Sequence, residues 1–403
     1  MNAAPRLDSP RSWAIVAVAF AITAVGMFNQ LAVSALAPEV MAALGVGNTQ
    51  LSSLMMAPML GGVVFGLASG GLTDRYGYKR VVSVTFVVSL AGVILRIFAQ
   101  TFAVFFVAMV LMGLVAAILI AVSPKLLASW FTPQRLGPAM GVLFAAAPVG
   151  TAVVQSTAAR FGSPGAVYVV GAILAAACFI AWLTVVPARG AAAEASAGQS
   201  VTGYLREAIG NPRVWLLATA MFVFMGAQMT YSSFLPTALN ADKGLELPAA
   251  GTLAAVYTIG SLIGSAALPA LAAKIGRVKP FILGCGVFGM AAMGLAWLTA
   301  PGWGGVVLLG LAGALVGALT PFVMAAPALL PDIGPRLAGS AGGLLATTQT
   351  AGAFVLPTFV IVPIAGANYT LLLGLAALCA GLVALTMAFV PEYGRRPDAA
   401  RTP

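Results

Sequence analysis

Twelve apolar stretches divide this chain, and its basic residues collect in every second gap between them. The N-terminal tail (Arg6, Arg11), the second gap (Arg75, Lys79, Arg80), the fourth (Lys125, Arg135), the sixth (Arg189, Arg206, Arg213), the eighth (Lys274, Arg277, Lys279), the tenth (Arg336) and the C-terminal tail (Arg395, Arg396, Arg401) hold all but three of the 20 Lys and Arg residues. The other gaps hold Arg96, Arg160 and Lys243. Basic residues beside short loops keep those loops on the cytoplasmic side of a membrane. The alternation therefore predicts an all-α membrane protein of twelve transmembrane helices with both termini in the cytoplasm.

Composition agrees. Hydrophobic residues make up 61% of the chain and charged residues 7%, whereas soluble domains carry about 25% charged residues. The net charge of +10 would suggest nucleic acid for a soluble protein, but here it lies at span ends, where it suits an anionic leaflet. The expected partners are thus the lipid bilayer and a small-molecule solute, with no nucleic acid. Cys178, Cys285 and Cys379 each stand alone in a separate apolar stretch, and there is no His. Neither a disulfide framework nor a His-based metal site is indicated, and no cofactor is expected.

A bilayer core about 30 Å thick takes about 20 apolar residues per helix. Spans are predicted near 13–37, 50–72, 81–100, 102–128, 137–159 and 165–187, then near 214–239, 248–272, 280–300, 303–330, 337–363 and 367–390. The polar interval between the two sets reads as a cytoplasmic linker, 188–213, with room for a short surface helix over 201–209. The expected organisation is an N-terminal six-helix bundle over 1–187 and a C-terminal bundle with a short tail over 214–403. The halves repeat: Pro10-Arg11-Ser12-Trp13 returns as Pro212-Arg213-Val214-Trp215, Gly77 as Gly276, and Arg135-Leu136 with Gly141 as Arg336-Leu337 with Gly342, at offsets of 202, 199 and 201 residues. A parallel repeat of this kind places a solute site between the halves near the midplane.

The second gap reads Gly70-Gly71-Leu72-Thr73-Asp74-Arg75-Tyr76-Gly77-Tyr78-Lys79-Arg80. This resembles the G-x-L-x-D-R-x-G-x-K loop of the major facilitator superfamily, matched by Gly70, Leu72, Asp74, Arg75, Gly77 and Lys79. The resemblance extends over the whole twelve-span layout. It implies two six-helix bundles that rock about a central site in a bacterial inner membrane, as a monomer. Asp74 is then a latch that pairs with a cation and a helix N-terminus of the other half, where a carboxylate is favoured. The equivalent turn, Leu271 to Arg277, has Ala273 in place of the acid. Gly276, Arg277, Arg135 and Arg336 complete the expected gating set.

Other positions depart from the family. Many proton-driven members carry an Arg four residues before a Gly in span 4, where this chain has Met109 before Gly113. Span 5 lacks the Gly-Pro pair of the antiporters, since Thr151 follows Gly150. All ten carboxylates lie in tails, loops or span ends, Glu39 being nearest to a span interior, so no buried acid stands ready as a proton relay. Two cations enter apolar surroundings. Arg96 is placed to snorkel to the outer face, and Lys125 is a candidate anion ligand. The sequence Pro124-Lys125-Leu126-Leu127-Ala128 through Pro133 is similar to the nitrate and cyanate porter branches, although the arginines that bind nitrate in spans 2 and 8 there have no counterpart here.

Uncharged hydrogen-bonders deep in hydrocarbon need partners. Asn29, Gln30, Gln155, Gln228, Tyr231, Tyr257, Thr347 and Gln349 join Lys125 as candidate solute contacts, with Ser232 and Thr348 beside them. These features point to a secondary transporter of a small organic or inorganic anion working by alternating access, and not to an enzyme, for no nucleophile, base or metal constellation is present. Three alternatives stay open: a proton-coupled drug or metabolite exporter, a non-transporting receptor, and a Cu(I) importer. The last would use the thioethers of Met55 and Met59 in span 2 and of Met225 and Met229, with Met221, in span 7, which share helix faces and are soft ligands.

Overall fold

The computed structural model describes residues 7–61, 63, 76–187, 201–330 and 332–392. These residues are helical without a strand, and the chain divides into two compact units, Met1–Ala195 and Ser196–Pro403. The first unit contains α1 (Pro10–Ala35), α2 (Ala37–Leu44), α3 (Asn48–Met56), α4 (Tyr78–Ile97), α5 (Phe102–Ala128), α6 (Pro133–Thr157) and α7 (Pro164–Val185). The second contains α8 (Val201–Gly210), α9 (Pro212–Lys243), α10 (Leu247–Ile275), α11 (Lys279–Thr299), α12 (Trp303–Gly317), α13 (Leu319–Leu329), α14 (Gly334–Val355), α15 (Val362–Ala365) and α16 (Tyr369–Ala388).

Among the described residues, eleven helical segments are long and apolar enough to cross a bilayer. The span expected near 50–72 begins in α3, and most of its remainder lies outside the described residues. The surface helix expected over 201–209 is α8. Two expected spans are less regular than their hydropathy suggested. The tenth breaks at Ala318 between α12 and α13, and the eleventh passes from α14 into α15 through a π-helical segment, Leu356–Ile361. Pro357 lies in that segment and has no N–H to donate, which favours a local change of hydrogen-bond register.

Three long helices start on cap-proline pairs. Ser9-Pro10, Ser163-Pro164 and Asn211-Pro212 each place a capping side chain before a proline in the first turn, and the caps accept from the backbone N–H groups of Ser12, Ala166 and Arg213. The side chain satisfies a donor that the helix leaves free, and the proline removes another.

The two units share a packing plan. In the first, α1 lies on α6 and α7, and α4 on α5 and α7; in the second, α9 lies on α14 and α16, and α11 on α12 and α16. Backbones meet where a side chain is missing. A β-carbon at Gly150 of α6 would stand 2.1 Å from the Ala24 carbonyl oxygen of α1, and one at Gly352 of α14 would stand 2.1 Å from that of Phe222 on α9. Small residues permit such contacts between membrane helices, where hydrocarbon offers no hydrophobic drive to associate.

The ends on the side of the termini are tied alike. Lys79 at the start of α4 donates to the Leu183 carbonyl of α7 (3.0 Å), and Lys279 at the start of α11 donates to the Ala388 carbonyl of α16 (2.7 Å). Each ammonium thereby meets the negative end of a helix dipole. Glu392 adds a cap to α11, accepting from the N–H groups of Val278 (2.8 Å) and Lys279 (3.1 Å). Asp8 accepts from the Thr132 N–H (3.1 Å) and hydroxyl (2.8 Å), capping α6 from the N-terminal tail, and its own N–H reaches the Trp130 carbonyl (3.1 Å). In the second unit Arg213 pairs with Asp332, and Asn211 donates to the Asp332 carbonyl (3.5 Å).

The close approaches make a paired prediction. Gly150→Ala and Gly352→Ala should each destabilise the protein by about 1–3 kcal/mol or more, because helix backbones must move apart. Gly141→Ala and Gly342→Ala, in the same two helices with nothing within 4 Å of the added carbon, should leave thermal stability in detergent unchanged or slightly raised.

Candidate functional site

Inside the first unit one guanidinium joins side chains of α1, α5 and α7. Along α4, Ser89, Gly92, Val93 and Arg96 fall on the buried face at helical spacing. Arg96 is 1% exposed, so it does not snorkel as its place near a span end suggested. It turns inward: Nη2 donates to Asn29 Oδ1 (2.7 Å), Nη1 donates to the Asn29 carbonyl and lies 3.9 Å from Met109 Sδ, and Cζ stands 4.3 Å from the centre of the Tyr168 ring. Among the described residues Nε has no hydrogen-bond partner, nor has the Tyr168 hydroxyl. Asn29 is held in turn by donating to the carbonyls of Val25 (3.0 Å) and Gly171 (3.1 Å). Gly171 makes room for it, since a β-carbon there would stand 2.1 Å from Asn29 Oδ1.

Asn29 is thus part of an internal brace between α1, α4 and α7. Gln30 is also buried and donates to the Met55 carbonyl (3.3 Å); Met55 is fully buried and Met59 is half-buried. Gln155 is buried within α6 and has interactions of its own. Lys125 belongs to α5, but its side chain lies outside the described residues.

The second unit has a brace at the matching place. Tyr231 lies 202 residues after Asn29 and donates its hydroxyl to the Met293 carbonyl of α11 (3.1 Å). Its ring packs on that of Tyr257 from α10, with centroids 5.0 Å apart. The Tyr257 hydroxyl is buried and has no hydrogen-bond partner among the described residues. Trp297, 201 residues after Arg96, donates to Thr370 Oγ1 (3.0 Å), and the Lys243 ammonium stands 4.8 Å from the centre of its indole ring. Gln228 is half-buried and donates to Ser261 Oγ at 3.4 Å. Thr347 and Thr348 return their hydroxyls to carbonyls of α14, while Gln349 is half-buried. Met225 and Met229 are half-buried on α9, and Met221 is fully buried.

Of the gating set, Gly70, Asp74 and Arg75 lie outside the described residues. Gly77 precedes α4 with φ 79° and Gly276 ends α10 with φ 77°, conformations that glycine adopts without strain. Arg135 and Arg277 are exposed, and the Arg336 side chain lies outside the described residues. Sequence reasoning missed the Arg96 brace and the stacking of Lys243 on Trp297. The first had a signal, because Ser89, Gly92 and Arg96 form a small and polar stripe at a spacing of three and four, the mark of an inward face.

The sequence profile of the Major Facilitator Superfamily matches residues 18–357. The chain belongs to the Major Facilitator Superfamily. An MFS-type transporter of Mycobacterium tuberculosis is 26% identical over 84% of this chain and 76% of its own length. A probable nitrate/nitrite transporter of the same organism, NarK2, is 26% identical over 55% of this chain and 56% of its own. Among solved structures, the nucleoside transporter NupG superposes with a TM-score of 0.76 at 14% identity, covering 94% of this chain and 99% of that one. The superfamily and the spans make this an integral membrane protein of a transporter family rather than an enzyme.

The two tyrosines of this superfamily member separate a bracing hydroxyl from a free one. Tyr231→Phe should lower stability by about 0.5–1.5 kcal/mol, the net worth of the one hydrogen bond that its hydroxyl makes. Tyr257→Phe removes a hydroxyl that bonds to nothing and should leave the melting temperature unchanged or higher, so any loss of transport in that variant reports solute contact.

Proposed function

We propose that this protein is a secondary transporter of a small organic or inorganic anion in a bacterial cytoplasmic membrane, working by alternating access between a bundle over 1–187 and a bundle over 214–403 joined by the linker 188–213. With the span near 50–72 the bundles comprise twelve helices, both termini are cytoplasmic, and the protein acts as a monomer. Asp74 with Arg75 serves as the latch. The observation that carries the cargo assignment is the charge of the interior: a guanidinium is fully buried there, whereas the carboxylates of Asp8, Glu39, Glu207, Asp242, Glu246, Asp332 and Glu392 all lie outside the span interiors. An interior with this sign disfavours lipophilic cations and, among the described residues, offers a proton no carboxylate inside a span.

The relation to a probable nitrate/nitrite transporter supports the same reading. Asn29 and Tyr231 are committed to bracing, so solute contact is assigned to Gln30, Lys125, Gln155, Gln228, Tyr257, Thr347 and Gln349. Exchange of one anion for another, or uniport, suits an interior without an embedded acid.

Counterflow in proteoliposomes tests the assignment. Preloaded nitrate, formate or lactate should drive uptake of a labelled small anion. Lys125→Ala should weaken apparent affinity about tenfold, the effect of removing one charged hydrogen bond of about 1.5 kcal/mol. Uptake driven by tetraphenylphosphonium and a proton gradient, with no anion counterflow, would instead establish the exporter. Copper accumulation lost on replacing Met225 and Met229 by Leu would establish the metal importer.

A further inference from the structure

Arg96 supplies from span 3 a positive charge at the point on span 4 where Met109 stands, the position that holds an arginine in many proton-driven members of the superfamily. Its Nη1 lies 3.9 Å from Met109 Sδ. An arginine keeps its proton in proteins, so what matters is whether that charge is cancelled. Its partners are the Asn29 carbonyl and amide, the Met109 thioether and the Tyr168 ring, all without net charge. No carboxylate of the described residues lies within ion-pair distance, as the ion pair found among them is that of Arg213 with Asp332 in the other unit. The C-terminal end of α4, where Arg96 sits in the last turn, supplies a partial charge of about half a unit. Glu39 acts on Tyr168 electrostatically, its Oε2 buried without a partner. Both lower the positive potential around Arg96, and neither pairs with it.

We infer that Arg96 is a specificity-determining residue that sets a positive potential along α1 and α5 without touching the solute. This inference deepens the anion reading and rests on it for its biological meaning. A monopole in a low-dielectric interior acts over many ångströms, and Asn29 and Met109 carry it to α1 and α5, two helices that the superfamily resemblance places along the pathway. Asn29 thus fixes where the charge sits, and Met109 leaves it uncancelled. The same logic explains why a thioether is suited to position 109, since a carboxylate there would pair with Arg96 and abolish the field.

The potential can be read without knowing the cargo. In protein whose Cys178, Cys285 and Cys379 are replaced by Ala, the half-buried Met27, two residues before Asn29, is changed to Cys. Its modification rates with anionic methanethiosulfonate ethylsulfonate and cationic methanethiosulfonate ethyltrimethylammonium are then compared in proteoliposomes. The anion-to-cation rate ratio should fall about tenfold in Arg96→Gln and in Met109→Glu, hold in Arg96→Lys, and rise in Glu39→Gln. Met109→Glu keeps Arg96 and gives it a partner, so it serves where Arg96→Gln does not fold. An unchanged ratio in monodisperse Met109→Glu protein would overturn the inference. A ratio shift in a protein that moves no anion upholds the field and refutes the cargo reading; anion counterflow without a ratio shift does the reverse.

Discussion

A charge buried inside a protein finds no water, and the protein must supply whatever the solvent would have given. That constraint organises both units. Arg96 is wrapped by an amide, a carbonyl and a ring, and Lys243 lies over an indole, so two of the three cations that break the alternation of basic loops are held by aromatic faces. Lys79 and Lys279, which obey the alternation, are held by helix-end carbonyls. The braces need helices in contact along their backbones, which in turn needs Gly150, Gly171 and Gly352 where they stand. Charge, ring and small residue are therefore one design, repeated in each unit with different side chains.

The repeat preserves geometry more faithfully than chemistry. Asn29 and Tyr231 occupy matching places and both tie the first span of their unit to a neighbour, one through an amide and the other through a phenol. Arg96 and Trp297 match as well, and the acid of the lower clasp moves from the tail side, Asp8, to the loop side, Asp332. Such exchange is expected when the requirement is a satisfied hydrogen bond and not a particular residue. It also leaves one unit with a buried charge and the other with a neutral aromatic pair, so the two units differ electrostatically although their helices follow one plan.

Much of this fold was legible because hydropathy is a local signal. Ser163-Pro164 and Asn211-Pro212 mark helix starts within a residue, and the polar interval after Val185 ends in the short helix that its composition allowed. The π segment at Leu356–Ile361 was not legible, since its apolar run reads like any other span. The site was read less well, for a physical reason. Sequence identifies which residues are costly to bury, but the rotation of a helix decides whether Arg96 reaches lipid headgroups or a neighbour's amide. Hydropathy does not encode rotation. The stripe of Ser89, Gly92 and Arg96 does, and it outweighs nearness to a span end.

The clasp at Asp8 has a practical side. Asp8 holds φ 58°, a left-handed conformation that a non-glycine residue adopts rarely, and it closes over Thr132, 124 residues further along the chain. Asp8 is therefore folded into the first unit rather than loose before α1. A fusion joined directly before Asp8 pulls on the first turn of α6, and one joined directly after Glu392 pulls on the first turn of α11, so a handle at either place needs a spacer.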